Sequence, residues 1–417
     1  MSESVKRSNP LMWFLDPLTS TASQSDPEYR YSWSKIAWML PLAIGILGLV
    51  VTAIGWATNS EQFYYSYLIG WAFCLSITIG AYFFVVIQHL TKARWSVVIR
   101  RIPEALIWSF PLLAVLSIPI LLGMHDLYHW THHDLFDPAS ANYDPVIAGK
   151  EAYLNTPFFL ARFAFYFLSW TWISYKLYTL SVRQDNDPHP EIAPKQRKYA
   201  AIGLALGAIT TAFAAFDILM SLDPHWFSTI FGIYFFAGSF MIIMAVMALV
   251  SMMLQRKGML TGLIKVDHYQ DLGKFLFGFV VFWAYIGFSQ YMLIWYGNLP
   301  EETVFYRHRL EHGWGTMSAI LLIGHFIIPF IVLVGRWAKR NLALFGFMCI
   351  YMLHWFDFYW IVAPVLHEHV AMSIYDVTGV IGLFGVYSAA FMYRLSRHAL
   401  VPQRDPRLHK SLSFTNT

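Results

Sequence analysis

The sequence predicts an all-α integral membrane protein with about ten transmembrane helices. Of its 417 residues, 57% are hydrophobic and only 13% are charged, which is about half the charged fraction of an ordinary soluble domain. Apolar runs of about 20 residues recur along almost the whole chain, and each is long enough to cross a hydrocarbon core of about 30 Å as a helix. Strands of a membrane barrel are shorter and alternate in polarity. A soluble domain and a barrel are therefore both excluded.

The apolar runs define the order of the predicted elements. The ten predicted spans are 34–57, 64–90, 102–124, 157–182, 197–222, 226–254, 269–296, 313–335, 340–362 and 373–394. We divide the chain into a cytoplasmic N-terminal arm (1–33), a flanking helix (34–57), two four-helix bundles (64–222 and 226–362), a second flanking helix (373–394) and a cytoplasmic tail (395–417). Within the arm, the apolar patch over 9–18 either contacts the membrane interface or a partner, or belongs to a disordered segment.

A weak internal repeat motivates the division into two bundles. Each bundle has one long connection, 125–156 in the first and 297–312 in the second. Near the end of each bundle the same residue types recur at a constant offset of 140, namely Phe216, Asp217 and Pro224 against Phe356, Asp357 and Pro364. Both bundles would run in the same direction, so the repeat would be parallel and not inverted.

Lysine and arginine concentrate in alternate connections. The arm, the tail and the even-numbered connections hold nearly all cations outside the spans, and the odd-numbered connections hold only Lys150, Arg307 and Arg309. The positive-inside rule therefore predicts that both termini are cytoplasmic and that the connections rich in His and Asp face outward. The same distribution accounts for the net charge of +4 without a nucleic-acid partner.

Polar residues gather near the predicted outer end of the first bundle. An ionisable residue in a span is costly and is a functional candidate by default. The ends of consecutive antiparallel helices are neighbours, so these side chains are expected to converge. Two interpretations stay open: a buried ion pair between Arg162 and Asp217, or a pocket for a ligand headgroup. The candidates for that pocket are His125, Asp126, His129, Arg162, Asp217, Asp223 and His225.

The second bundle carries ionisable residues at greater depth. His325 lies near the middle of the eighth span, His354 and Asp357 lie three residues apart in the ninth, and Asp376 enters from the tenth. Imidazole can take and pass a proton near neutral pH, so these residues, together with Asp217, are candidates for a proton path. The alternative is that the histidines only form hydrogen bonds between helices.

The sequence predicts no metal site. The spacing His129-x-x-His132-His133 matches one histidine box of membrane di-iron desaturases, but that chemistry needs several boxes and the chain has no second one. A b-type haem between His325 and His354 stays an alternative. The two cysteines, Cys74 and Cys349, form no CxxC or CxxCH pattern, so the chain alone can neither ligate an iron–sulfur cluster nor attach a c-type haem.

Three segments resemble a known family. The segments are FDILMSLDPHWFSTIFGIYFFAG (216–238), IWYGNLPEETVFY (294–306) and WFDFYWIVAPVLHEH (355–369). They are similar to the NrfD-like, polysulfide-reductase-type membrane subunits of bacterial alternative complex III, over the second to the tenth predicted helix. That complex has two paralogous subunits of this kind, and the compact length and short tails are closer to the ActF type than to the ActC type.

The resemblance implies a subunit of a quinol:electron-acceptor oxidoreductase in a bacterial respiratory chain, in the cytoplasmic (inner) membrane. It implies menaquinol or ubiquinol as ligand, no covalently bound cofactor, and partner subunits that carry iron–sulfur clusters and c-type haems. The paralogous NrfD-like subunit and a terminal oxidase are further implied partners. The family's quinol pocket pairs a histidine that ends the third helix with an aspartate that starts the fourth. Here His125 or His129 suits the first role, but Arg162 stands where the acid is expected, which favours proton translocation or support.

Three roles within such a complex follow. In the first, quinol binds at His125 or His129, and Asp217 or Asp223 accepts its protons. In the second, His325, His354, Asp357 and Asp376 form part of a proton path, and in the third the chain is a structural scaffold. In each case the chain would not be catalytic alone. A secondary transporter is a separate class, for which the sequence shows no paired broken helices.

Overall fold

We describe a computed structural model of the protein. It describes residues 29, 31 and 35–415. The predicted arm over 1–33, with its apolar patch at 9–18, lies outside the described residues except for Tyr29 and Tyr31. All regular elements of the described part are helical, and it contains no strand. The predicted all-α class is therefore confirmed.

Ten long helices follow one another along the described chain. Nine of them could cross a membrane by length and composition. The tenth, α4, is long enough, but Arg162, Lys176 and its many Tyr and Trp residues make it less apolar. The multi-pass membrane fold is confirmed. The helices are α1 (Met39–Thr58), α2 (Ser60–Leu90), α3 (Arg101–Leu122), α4 (Thr156–Asn186), α5 (Ile192–Leu222), α6 (Phe231–Arg256), α7 (Val266–Gly297), α8 (Trp314–Val334), α9 (Leu342–Leu366) and α10 (Ile374–Leu395).

Helix α2 lies at the centre of the molecule. It is buried along its apolar length and contacts α1, α3, α5, α6, α9 and α10. Small residues allow this close packing: a Cβ atom on Gly80 would lie 1.9 Å from the carbonyl oxygen of Ser239 in α6. Without a hydrophobic driving force between helices in lipid, such van der Waals contact between backbones is a main source of helix association.

Helix α1 packs on α10 through glycines. A Cβ atom on Gly45 would lie 2.5 Å from the amide nitrogen of Val386, and one on Gly48 would lie 2.8 Å from Cα of Gly382. The opposite face of α1 exposes large apolar side chains such as Leu40, Leu47 and Trp56. Helix α1 therefore joins the molecule along one glycine stripe and presents the rest of its surface to lipid.

The connections divide between two ends of the helix assembly. We call the end with 91–100, 187–191, 257–265, 335–341 and the tail the basic end, and the end with 123–155, 223–230, 298–313 and 367–373 the histidine end. Helices α2 and α4 each contact α3 and α5, and α7 and α9 each contact α6 and α8. Between the two groups, α6 contacts α2, α3 and α5, and α9 contacts α2. The division into two four-helix bundles, and the side of the membrane on which each end lies, remain predictions.

Three helices are interrupted, which the sequence did not predict. Helix α3 is broken into short segments that restart at Phe110–Leu116 and Ile118–Leu122, each with a proline in its first turn, because proline cannot donate the backbone hydrogen bond. Helix α8 contains a π-helical turn at Ile323–Ile327, and α9 is split into Leu342–Tyr351 and Trp355–Leu366. The interruptions do not fall at equivalent positions of the two proposed bundles.

The tail folds back onto the basic end. Asp405 accepts a hydrogen bond from Arg100 at 2.6 Å, and Arg407 donates to both oxygens of the same carboxylate at 2.8 and 2.9 Å. Burial opposes ionisation of Asp405, but the charges of Arg100 and Arg407 outweigh it and lower the pKa of its carboxyl well below the ordinary range. Ser411 donates to the carbonyl oxygen of Trp95 at 2.6 Å. The tail is therefore held by one buried ion cluster and local hydrogen bonds.

Candidate functional site

The structure joins two of the predicted residues of the first bundle in an ion pair. Arg162, from the first turns of α4, donates to both carboxylate oxygens of Asp217 in α5 at 2.8 and 2.9 Å. The Asp217 side chain is only 1% exposed and that of Arg162 10%. Tyr166 lies one turn further along α4 and also donates to Asp217, at 2.6 Å. The carboxylate is thus fully engaged by a bidentate guanidinium and a phenol.

The Arg162 guanidinium also contacts a backbone carbonyl oxygen and two aromatic rings. Its third nitrogen donates to the carbonyl oxygen of Tyr153 at 3.0 Å, and its guanidinium carbon lies 3.8 Å from the Tyr153 ring centroid and 4.3 Å from that of Phe158. Such stacking on aromatic rings is a property of arginine that lysine does not share. Of the two interpretations left open for Arg162 and Asp217, this geometry is that of the buried ion pair.

The remaining candidates of the first bundle lie at the histidine end. His129, Asp223 and His225 line one cavity of about 450 Å³, to which the second bundle contributes Glu301 and Arg309. His225 forms a 2.6 Å contact with Asp144. Burial alone would raise the pKa of Asp144, but hydrogen bonds from His225 and from the backbone amides of Ile147 and Val146 lower it below its usual range.

His125 and Asp126 do not line this cavity. The exposed His125 packs its ring 4.1 Å from that of His132, centroid to centroid, and His132 Nε2 donates to the backbone carbonyl oxygen of His125 at 2.9 Å. His129 packs edge-on against the same His132 ring at 5.1 Å. His129 and His132 of the histidine-box spacing thus form a ring cluster with His125, in which Nε2 of His132 already donates to a backbone carbonyl oxygen.

The second bundle contains a buried polar cluster with no Lys or Arg in it. Tyr234 of α6 donates to one carboxylate oxygen of Asp357 in α9 at 2.5 Å. His354 Nδ1 lies 3.7 Å from the other oxygen, and the His354 ring stacks on the His325 ring of α8, 5.4 Å away and 8° from parallel. All four side chains are at most 7% exposed. We call these residues the Asp357 cluster.

The helix interruptions position this cluster. His325 lies inside the π-helical turn of α8, and His354 directly precedes the second segment of α9. The imidazole of His354 fills the space beside Gly238 of α6, where a Cβ atom would lie 2.5 Å from its Cε1. Within the described residues, neither ring nitrogen of His354 makes a hydrogen bond. Interrupted helices and π-turns are frequent at functional sites. Here two of them place His354 beside the Asp357 carboxylate and His325 in a stacked contact with the His354 ring.

The cluster resembles the first-bundle site only in part. Asp217 and Asp357, which match at the repeat offset, are both buried and both accept a hydrogen bond from a tyrosine. The tyrosines come from non-equivalent helices, α4 and α6. Only Asp217 has an arginine partner in the described part of the chain. The two matched acids therefore differ in charge compensation.

Asp376, the fourth candidate for the proton path, has a different setting. Its carboxylate accepts from Ser66 at 2.6 Å and from Gln62 at 3.1 Å, and from the backbone amide of Ser373 at 2.8 Å. The last contact caps the start of α10. Gln62 continues to His367 at 2.7 Å. Asp376 thus belongs to a short hydrogen-bonded chain at the histidine end, and no direct contact joins it to the Asp357 cluster.

The structure contains a cavity that the sequence did not predict. It has a volume of about 460 Å³ and lies among α6, α7, α8 and α9. Its walls include Tyr234 of the Asp357 cluster and Trp283, whose ring contacts that of His325. Gln290 and Tyr306, joined by a 3.0 Å hydrogen bond, add polar groups. Of the segment 294–306, only Phe305 and Tyr306 line this cavity, and no spacing rule connects them to α6.

Arg309 is a further wall residue of that cavity. It is 2% exposed and forms no salt bridge in the described part of the chain. Its guanidinium donates to the carbonyl oxygens of Phe305, Trp360 and Ile361 at 2.9, 3.2 and 2.6 Å. Arg309 is not among the site residues predicted from the sequence. It could have been singled out, because it is one of only three cations in the odd-numbered connections.

The stacked histidines do not suit a haem. A haem held by both residues needs the macrocycle between the two rings, with one nitrogen of each ring directed at the iron. The His325 and His354 rings instead lie face to face, which leaves no space for the macrocycle.

No family model and no curated protein matches the chain. Its relation to the NrfD-like subunits therefore stays an expectation that rests on the three segments quoted above.

Proposed function

We propose that the protein is a proton-transferring membrane subunit of a quinol:electron-acceptor oxidoreductase. The observation that carries this proposal is the Asp357 cluster: a buried carboxyl with a phenol and two stacked imidazoles but no arginine or lysine. An acid without a fixed counter-cation takes up and releases a proton without breaking an ion pair. Asp217, bound bidentately by Arg162, lacks this freedom and serves as a structural contact.

The proton route in this proposal uses the observed neighbours. Asp357 exchanges a proton with His354 across the 3.7 Å gap, which a small rotation of either side chain closes to hydrogen-bond length. Transfer from His354 to His325 then requires rotation of one imidazole, because the two rings lie face to face and a proton passes only when a nitrogen of one ring donates to a nitrogen of the other. Imidazole suits this relay because its two nitrogens can receive and release a proton in turn. Tyr234 keeps the carboxyl of Asp357 oriented by its hydrogen bond.

A second candidate function is binding of a quinone-type headgroup in the 460 Å³ cavity. Its wall contains aromatic rings, the polar pair Gln290 and Tyr306, and the cation Arg309. Apolar walls with a few convergent polar groups are typical of cofactor sites. Oxidation of quinol there would release two protons, one route for them being Tyr234 and Asp357, while two electrons pass to an iron–sulfur cluster of a partner. The cavity at His129, Asp223 and His225 stays the alternative location.

The proposal places the chain in a bacterial cytoplasmic membrane, with both termini inside and the histidine end facing outward. The NrfD-like segments and the alternation of charge support this placement. Its partners are an iron–sulfur subunit, c-type cytochrome subunits and a paralogous membrane subunit, and the structural-scaffold role is the alternative to proton transfer.

The test measures electron and proton transfer separately in the purified complex, reconstituted in vesicles. Asp357→Asn keeps the size and a hydrogen-bond acceptor for Tyr234 but removes the exchangeable proton. We expect the number of protons translocated per electron to fall while the complex stays assembled. Asp217→Asn is the control, because it removes an equally buried acid outside the cluster. It also leaves Arg162 without its carboxylate, so it is compared at a temperature at which the complex stays assembled, and there we expect the ratio to be unchanged.

Two further variants distinguish the two candidate functions in the same reconstituted complex. Gln290→Leu and Tyr306→Phe are expected to raise the KM for quinol if the headgroup binds in the cavity, and to leave KM unchanged if it binds elsewhere. Unchanged turnover and an unchanged proton ratio in Asp357→Asn would refute the proton-transfer role. If KM were also unchanged in Gln290→Leu and Tyr306→Phe, only the scaffold role and the cavity at His129 would remain.

A further inference from the structure

Two connections of the histidine end bring together three metal-ligating side chains that neither candidate function uses. His312 precedes α8, and Glu368 and His369 follow α9; their ligand atoms all lie within 4.8 Å of one another. His312 Nε2 lies 3.3 Å from a carboxylate oxygen of Glu368, and the rings of His312 and His369 are 4.8 Å apart between centroids. We infer that these three residues form a surface site for a divalent transition metal ion of the Zn²⁺ class.

The donor set suits this ion. Two imidazoles and one carboxylate are common zinc ligands, with bonds of about 2.0–2.2 Å to a tetrahedral centre. Two ligands of such a centre lie about 3.4 Å apart, so the pair His312 and Glu368 already has this separation. The ligand nitrogen of His369 lies within 4.8 Å of the other two ligand atoms, so it would have to move closer to bind the same centre, and a water molecule would complete the fourth position.

The surrounding structure holds the two connections in place. The indole of Trp314, which is fully buried, donates to the carbonyl oxygen of His367 at 3.1 Å. This hydrogen bond joins the two connections, because Trp314 lies two residues after His312 and His367 directly precedes Glu368. His367 itself is engaged by Gln62. The three ligands are thus carried on backbone segments that are already fixed to each other.

No cation competes for the carboxylate. Within the described residues, His312 is the only salt-bridge partner of Glu368, and the nearby Arg307 pairs with Glu311 at 3.4 Å. All three ligands are exposed, so an ion can enter from solvent. A bound ion would clamp the start of α8 to the connection between α9 and α10, at the end of the bundle that holds Arg309 and the 460 Å³ cavity.

The test is Zn²⁺ binding to the full-length chain in detergent, measured by competition with a chromophoric zinc indicator. We expect one Zn²⁺ per chain that is lost in the triple variant His312→Ala/Glu368→Gln/His369→Ala. Each single variant should weaken binding by more than about tenfold, since even outer-shell partners of metal ligands have that effect. His308→Ala is the matched control, because it removes an exposed histidine of the same connection outside the cluster, and it should bind like the wild type.

Hydrogen exchange provides a readout that does not depend on stoichiometry. Zn²⁺ should protect the backbone of 310–316 and 367–371 in the wild type and in His308→Ala, but not in the triple variant. Equal Zn²⁺ affinity of wild type and triple variant, or no binding by the wild type at all, would overturn the inference. The outcome is independent of proton transfer, because none of the three residues belongs to the Asp357 cluster.

Discussion

The exchange of Arg162 for methionine tests how the buried acid of the first bundle is stabilised. The Asp217 side chain is 1% exposed and would keep the hydrogen bond from Tyr166 but lose both guanidinium bonds. Removing one partner of a buried ion pair costs about 3–5 kcal/mol, because the remaining charge is left uncompensated. Methionine retains the length of the aliphatic stem, so most of this cost arises from the lost charge.

A double-mutant cycle isolates the pair. The combination Arg162→Met/Asp217→Leu removes both charges, and replacement of a whole buried pair by apolar residues is often nearly neutral. We therefore expect a coupling free energy of at least about 2 kcal/mol between the two positions. The free energy of unfolding is measured by denaturant titration in mixed micelles.

The control is Lys176→Met, which removes a cation from the same helix. The Lys176 ammonium lies over the rings of Tyr175 and Tyr199, at 5.7 and 5.9 Å, and no salt bridge joins it to another described residue. Its loss should therefore change stability by less than about 1 kcal/mol. The reasoning is refuted if Arg162→Met unfolds like the wild type, or if the double variant is as unstable as the sum of the two single variants.

Three other predictions concern packing and the tail. Gly45→Leu should dislodge α1 from α10, since even a Cβ atom there meets the Val386 nitrogen at 2.5 Å; protease access to the α1–α2 junction reports it, and Leu47→Ala on the lipid face should change nothing. Asp405→Asn should release the tail, because Arg100 and Arg407 lose their shared carboxylate; hydrogen exchange over 400–415 should rise, and an unchanged rate would contradict the buried ion cluster. Burial, then the charge of Arg394, lowers the pKa of His398 to about 3, so this histidine stays neutral in the folded state while the unfolded chain takes up a proton near pH 6.5; stability should fall by at most about 2 kcal/mol between pH 7.5 and pH 5. His398→Gln should remove that part of the pH dependence, and a curve identical to the wild type would show that His398 is not its source.

Much of the fold follows from the sequence because its physical cause is local. A bilayer requires about 20 apolar residues for each helix, so hydropathy locates all of the long described helices except α4, which is less apolar. The interruptions have a less direct signal. Pro111 and Pro119 explain the breaks in α3. Pro329, in the first turn after the π-turn, cannot donate a hydrogen bond to the carbonyl oxygen of His325 four residues before it. The break before His354 contains neither proline nor glycine.

Which side chains contact each other between helices is harder to predict than where each residue lies along its helix. The sequence identifies Arg162 and Asp217 as anomalous, but 55 residues separate them, and only the packing of α4 on α5 decides that they form an ion pair. The same holds for Tyr234 and Asp357, which are 123 residues apart. Tyr234 carries no charge and is not anomalous in an apolar span, so the tyrosine that orients the key carboxyl could not be found from composition.

The most direct test of the account is a redox-induced infrared difference spectrum of the purified complex. Such a spectrum shows the C=O stretch of any carboxyl that gains or loses a proton when quinol is oxidised. The account predicts a carboxyl band that disappears in Asp357→Asn and persists in Asp217→Asn. A spectrum that keeps its carboxyl band in Asp357→Asn, or has none in the wild type, would contradict the claim that Asp357 exchanges a proton during turnover.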